Sequence, residues 1–334
     1  MDWALVLSGG GSRGAAHIGV IQALEKEGLR PPLVVGVSAG SIAGALYGTG
    51  HRAEDMIAIA KRASRHFLFD FDWHWMTGAL LGLLRLAQGR PNAALWPGLP
   101  TGLLVGNQLE KLLRQIWGQQ TFDDTDPRVV VTAVDLITGA TICFLPKELE
   151  PKDPLPYRRF VTGVPIAQAV RASSSIPGVF HPVRLKGYCL VDGAVRANLP
   201  TDLARSLGAK VVICVSLRDP DTPATPPDNL IGTVLRSIDI LGYEIDLCTI
   251  LGGADLVIEP ALGHMGVFDF DDIDAAVEVG YAAAMAVMPS IRRVLQAPPV
   301  QPKEPSVTEH RTSQGLVIRI GRGNQEKNER EWHR

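Results

Sequence analysis

Leu33-Val34-Val35-Gly36-Val37-Ser38-Ala39-Gly40-Ser41 is the stretch that decides how this chain is read. Its first half is an apolar run of strand length, and residues 39–50 take up helical spacing, so a strand passes into a helix with Ser38 at the junction. Gly36-Val37-Ser38-Ala39-Gly40 is G-x-S-x-G in the strand-turn-helix setting that a nucleophile elbow needs. The glycines have a mechanical reason. A turn that sharp strains the serine backbone, and the helix can approach the strand only where Gly36 and Gly40 carry no side chain. The hydroxyl then projects from the strand end, and a helix starting at Ala39 aims its positive dipole end at charge developing on an attacked carbonyl.

Upstream, residues 3–7 form another apolar run and residues 14–28 another helical pattern, joined by Gly9-Gly10-Gly11-Ser12-Arg13-Gly14. Gly9, Gly11 and Gly14 satisfy G-x-G-x-x-G, yet both nucleotide readings fail. A dinucleotide site wants an acid near the end of the second strand, where this chain has Ser38; a P-loop wants a lysine and a hydroxyl residue after Gly14, where Ala15 and Ala16 stand. Two neighbouring strand ends in a parallel sheet instead bring this loop to Ser38. The expectation is that this glycine loop points backbone N–H groups at the oxyanion, with Arg13 steadying the loop, adding positive charge, or standing solvated at the helix start. His17, on the following helix, reads as structural.

A partner must activate Ser38. The α/β-hydrolase order needs a strand pair and an oxyanion loop well before the elbow, and 37 residues precede Ser38 here. His181 and His264 are the least unfavourable histidine bases. The alternative is a carboxylate: residues 188–191 form a short strand ending in Asp192-Gly193-Ala194, a tight turn at a sheet edge. An aspartate with an ordinary pKa of about 3.9 is a weak base unless burial raises it.

Further short apolar runs at 129–134, 141–145, 211–215 and 256–258 alternate with helical patterns, including one at 53–66. This rhythm is that of an α/β fold, a mostly parallel sheet with helices on both faces. Residues 146–165 and 218–229 are proline-rich and read as loops. Residues 67–102 interrupt the rhythm with alternating aromatics, among them Trp73 and Trp75, as a cap over the sheet edge or as a lid or membrane-contacting flap. The stripe Ile231, Val234, Leu235, Ile238, Leu241 and Ile245 reads as core, with a partner-binding face as the alternative. One domain is expected over 1–297, followed by a Pro-rich, flexible tail over 298–334 in which 316–320 resembles a strand.

The 334 residues carry 33 Lys+Arg against 35 Asp+Glu, so no global charge favours nucleic acid, and 46% hydrophobic content is too apolar for a disordered chain. No two of Cys143, Cys189, Cys214 and Cys248 have metal or redox spacing, and reduced thiols are expected. The opening Met1-Asp2-Trp3 lacks the basic start of a leader. Residues 31–50 carry no charge, but Pro31, Pro32 and five glycines rule out a membrane span.

Taken together, GGGSRG, GVSAGS and Asp192-Gly193-Ala194, in that order, resemble the patatin-like phospholipase family, and the block Ala172-Ser173-Ser174-Ser175-Ile176-Pro177-Gly178-Val179-Phe180 is similar to the family's stretch before the aspartate. The resemblance covers roughly residues 4–295. It implies a three-layer α/β/α fold, a Ser38-Asp192 dyad, an oxyanion loop at Gly9, Gly10, Gly11 and Gly14 beside Arg13, and neither metal nor cofactor. Ala194 stands where many relatives have glycine. The implied activity is hydrolysis of acyl esters of lipids through an acyl-enzyme. The rivals are an acyltransferase using the same intermediate and a non-catalytic lipid-binding regulator. The expected location is cytoplasmic, with 67–102 the candidate for peripheral contact at the inner membrane face.

Overall fold

The computed structural model describes residues 2–66, 101–153, 157–218, 226–227, 229–263, 265–267, 269–297, 306–312 and 315–321. Apart from its last two residues, the 67–102 stretch and the roles expected of it lie outside these. Two units are present, Met1–Gln296 and Ala297–Arg334.

The first unit is built on a nine-stranded sheet. Its parallel part has β1 (Trp3–Leu7) at the centre, between β10 (Val211–Val215) with β11 (Leu256–Ile258) outside it, and β2 (Leu33–Val37) followed by β4 (Arg128–Asp135). Beyond β4 the direction changes: β5 (Thr141–Phe144) is antiparallel to it, and β6 (Arg158–Val161) runs parallel to β5. A hairpin of β8 (Val183–Leu185) and β9 (Tyr188–Asp192) joins through β9, which pairs antiparallel with β4. A separate parallel pair links β3 (Gly102–Leu104) to β7 (Gly178–Phe180).

Both faces of the sheet are covered, as the continuous apolar runs require. On one face Leu5, Leu7 and Val131 pack with α1 (Ala15–Lys26), α2 (Ala39–Gly48), α3 (Ala53–His66), α4 (Asn107–Trp117) and α5 (Ile166–Ser173). On the other, Ala4, Val6 and Val130 pack with Leu203 and Ala204 of α6 (Thr201–Ser206). The long α7 (Leu230–Gly253) follows β10, and α8 (Ile273–Ala286) and α9 (Met288–Gln296) close the unit. The second unit holds an antiparallel pair, β12 (Ser306–Thr312) and β13 (Gly315–Gly321).

Three expectations are corrected. Residues 146–165 are not all loop, because Arg158–Val161 forms β6 on the edge of β5; its Arg-Arg-Phe-Val sequence lacks the apolar run that marks the inner strands. The stripe on α7 is only partly core: Val234, Leu241 and Ile245 are exposed. Residues 298–334 include a paired β-hairpin, of which the expected strand 316–320 forms one side. Among the described residues no helix is long and apolar enough to cross a membrane, and all four cysteines are free.

Candidate active site

The register of β2 sets the position of Ser38. Gly36 lies beside Leu7 of β1 and Val37 beside Thr132 of β4, and the chain turns at the next residue. Ser38 has φ 52° and ψ −120°, a left-handed setting that costs a non-glycine residue ~1–3 kcal/mol. A Cβ on Gly40 would come within 2.3 Å of the Leu7 carbonyl oxygen, and one on Gly36 within 2.4 Å of the Gly40 carbonyl oxygen. The strained turn is held by its neighbours. The Ser38 N–H donates to Ser173 Oγ at 2.9 Å, the Gly40 N–H donates to Ser8 O at 3.2 Å, and the Ser41 hydroxyl donates to Ser38 O at 2.5 Å.

Where β2 leaves the sheet, β9 takes its place beside β4. Val37 is level with Thr132 and Asp192 with Ala133, so the two strands meet end to end and the last residue of β9 abuts the turn at Ser38. The Asp192 carboxylate is buried and accepts a hydrogen bond from the Ser38 side chain and another, at 2.9 Å, from the Ala194 N–H. Gly193 is required here, because a Cβ would lie 2.5 Å from the Thr132 carbonyl oxygen. Burial pushes the Asp192 carboxyl up to about 6, and the two hydrogen bonds pull in the other direction.

The glycine loop reaches the same edge with its donors divided. The Gly9 N–H donates to Asn198 Oδ1 at 2.7 Å and is therefore committed away from Ser38, contrary to expectation. Arg13 is a tether, its Nε donating to Met265 O at 2.6 Å, while Ser12 donates through its N–H to Val267 O and through its hydroxyl to Gly266 O, both at 2.9 Å. Gly14 ends the short helical turn Gly11–Gly14 and is a packing contact, since a Cβ there would lie 2.4 Å from that of Ala39. Gly10 and Gly11 remain, and their N–H groups have no partner among the described residues. Gly11 has φ +60°, and a Cβ on it would strike the Val267 carbonyl oxygen at 2.1 Å.

Sequence reasoning missed the anchor beneath this loop. Asn198 donates from Nδ2 to Asp246 Oδ2 at 3.3 Å, and Asp246, buried on α7, pairs with Arg218 Nε at 3.1 Å. An asparagine in the turn after Asp192 carries no local signal of a contact with Gly9. His17 is structural, as expected: Nε2 lies 2.8 Å from Ser8 O, and burial, partly opposed by that carbonyl, lowers its pKa to about 4. His181 contacts Thr101 Oγ1 through Nδ1 at 3.2 Å, near β3, and His264 lies outside the described residues. No described histidine lines either pocket that opens on Ser38.

Those two pockets differ in chemistry. One runs among α1, α2, α3 and α4 and is apolar, with Ile18, Ile42, Leu46, Met56 and Leu113 on its walls. The other is a wider groove that adds Asp192, Asn198, Arg218, Arg236 and Asp239. Ser38 lies where they meet.

A model of the patatin-like phospholipase family matches residues 5–205, which include every residue of the elbow, the glycine loop and the aspartate turn. The chain belongs to the patatin-like phospholipase family. Among curated relatives, an uncharacterized NTE family protein of Mycobacterium tuberculosis is 31% identical over 308 residues, covering 85% of this chain and 46% of that protein. Human patatin-like phospholipase domain-containing protein 6 is 32% identical over 221 residues, 65% of this chain and 13% of that protein. Lysophospholipase NTE1 of Debaryomyces hansenii is 26% identical over 321 residues, 89% of this chain and 18% of that protein. This patatin-like chain thus spans less than half the length of these relatives. Among solved structures, human GIVD cytosolic phospholipase A2 aligns with a TM-score of 0.45 at 13% identity, covering 88% of this chain and 59% of that one. VipD from Legionella pneumophila aligns with a TM-score of 0.42 at 16% identity, covering 86% and 67%.

Proposed function

We propose that the chain is a serine acyl hydrolase that cleaves carboxylic ester bonds of lipids through a Ser38-Asp192 dyad. One observation carries this reading: the end-to-end meeting of β2 and β9, which sets a buried carboxylate on the hydroxyl of a strained serine at the mouth of an apolar pocket. Ser38 Oγ attacks the ester carbonyl carbon while its proton passes to Asp192. The oxyanion accepts from the Gly10 and Gly11 N–H groups and is further favoured by the N-terminal dipole of α2. Asp192 then returns the proton to the departing alcohol. In the second half-reaction it takes a proton from water, which attacks the acyl-enzyme, and the fatty acid leaves as Ser38 is restored. The apolar pocket suits one acyl chain, and the relative named a lysophospholipase makes a single-chain lipid ester the first substrate to try.

Intact mass after incubation with a fluorophosphonate tests the dyad, because the reagent modifies only an activated serine. The expected result is one adduct on the unaltered chain, none on Ser38→Ala, and labelling of Asp192→Asn slowed by about 100-fold or more, the usual scale for loss of a general base. A folded chain that takes up no reagent, with detergent or lipid present as well as without, would overturn the reading.

A further inference from the structure

β4 does not stop where β2 stops. Val37 is level with Thr132, and β4 continues through Asp135, so the turn joining it to β5 stands ~10 Å beyond the strand end that carries Ser38, at ~3.3 Å per residue. At the tip of this turn Leu136 is 54% and Ile137 71% exposed, and Tyr157, which precedes β6 and whose carbonyl accepts from the Thr141 N–H at 2.9 Å, is 70% exposed. Large apolar side chains held into water on a projecting turn need a reason. They are held firmly. Buried Asp135 accepts from the Thr138 hydroxyl at 2.7 Å, the Thr138 N–H at 3.1 Å and the Cys189 N–H at 2.9 Å, and the Leu136 N–H donates to Cys189 O at 2.8 Å.

The flanks of this tip are basic. The β8–β9 hairpin alongside carries exposed Arg184 and Lys186, and exposed Arg159 lies on β6. Arg196 donates to the tip at Gly139 O, 2.8 Å away, with its guanidinium 5.1 Å from the Tyr157 ring centre. The acids on these elements are committed or offset: Asp135 to the turn, Asp202 to Arg158, and Asp153 beside Lys152. Arg196 follows exposed Val195, which lines the groove holding Ser38 and Asp192. Arg196 therefore links the tip, at Gly139, to the chain that reaches the mouth of the site at Val195.

We propose that this tip, Leu136, Ile137 and Tyr157 ringed by Arg159, Arg184, Lys186 and Arg196, docks the protein on an anionic lipid surface with the Ser38 groove facing the bilayer. Apolar side chains enter the acyl boundary while the cations meet the headgroup charge, the combination that gives reversible interfacial binding. The proposal goes beyond the hydrolase reading, resting on it only for what docking would deliver to Ser38.

Co-sedimentation of the Ser38→Ala chain with vesicles tests it, using phosphatidylcholine alone and phosphatidylcholine mixed with phosphatidylglycerol. Binding is expected to favour the anionic vesicles. Leu136→Ser with Ile137→Ser should weaken it about tenfold, and Arg184→Glu with Lys186→Glu by at least the ~fivefold per cation expected at a charged surface, the latter on anionic vesicles only. Fluorophosphonate labelling of the same changes in the Ser38 background reports whether each variant keeps its site. If the apolar double variant loses the label, the charge reversal decides: selective loss on anionic vesicles supports the proposal, and unchanged binding overturns it. It is equally overturned if the chain ignores vesicles, if both variants bind as before, or if the tip variants act only on self-association. A chain that docks through the tip but takes up no fluorophosphonate fails the hydrolase reading and keeps this one.

Discussion

At the scale of the residue, Asp192 gives the proposed chemistry its pH dependence. A base must be ionised to accept the Ser38 proton, and burial has moved this carboxyl from an ordinary 3.8 up to about 6. Fluorophosphonate inactivation rates should rise with pH through the region of 6 and level above it. Asp192→Asn should be slow and flat over the same range, and a wild-type rate already at its plateau at pH 5 would contradict the assignment. Ser38 and Asp192, which the fold brings together, were legible as candidates in the sequence because each sits among glycines that its turn demands, Gly36 and Gly40 around one and Gly193 after the other. What was not legible is how the loop donors divide. Gly9 and Gly10 look alike in sequence, and the difference comes from Asn198, 189 positions away from Gly9.

At the scale of the element, the inner strands β1, β2, β4, β5 and β10 were legible because they are buried on both faces, where an unbroken apolar run is the signature, while β9 and β11 were legible from short apolar runs although part of each is exposed. Edge strand β6 and the three-residue β3, β7 and β8 have no such run and exist through their pairings. Helix contacts were equally hidden. Gly19 on α1 and Gly280 on α8 read as weak points, since glycine inside a helix costs ~0.5–1 kcal/mol against alanine. In the fold they are where the two helices touch: a Cβ on Gly280 would lie 2.0 Å from the Ala16 carbonyl oxygen, and one on Gly19 1.9 Å from that of Val277. The sign of the substitution is thereby reversed. Gly280→Ala should destabilise by ~1–3 kcal/mol, the cost of overpacking a fixed contact, where propensity alone predicts a gain. Chemical denaturation measures it, and a more stable variant would mean that α1 and α8 can move apart freely. Because α1 follows directly from the glycine loop, this contact beyond residue 205 supports the loop from outside the span of the family match.

At the scale of the whole molecule, two buried groups of opposite type, His17 and Asp192, push the response of stability to acid in opposite directions. His17 is depressed from 6.5 to about 4, so the folded chain binds fewer protons there than the unfolded one, and stability falls as pH drops through that interval. Asp192 is raised from 3.8 to about 6, so the folded chain binds more protons, and stability falls as pH rises through nearly the same interval. Each shift corresponds to ~3 kcal/mol at 1.36 kcal/mol per unit, and over pH 4 to 6 the two contributions oppose one another. Removing one exposes the other. Asn at position 192 keeps an oxygen for the Ala194 N–H and has no charge to bury, so Asp192→Asn should match the unaltered chain near pH 4 and exceed it by up to ~3 kcal/mol above pH 6. Its own stability should then fall more steeply on acidification than that of the unaltered chain, because the Asp192 contribution that opposed His17 is gone. Denaturant unfolding of the two proteins across this range isolates Asp192, since every other titrating group is common to both. A difference that stays constant with pH would show that Asp192 ionises in the fold as readily as in the unfolded chain, and the argument for its strength as a base would fail with it.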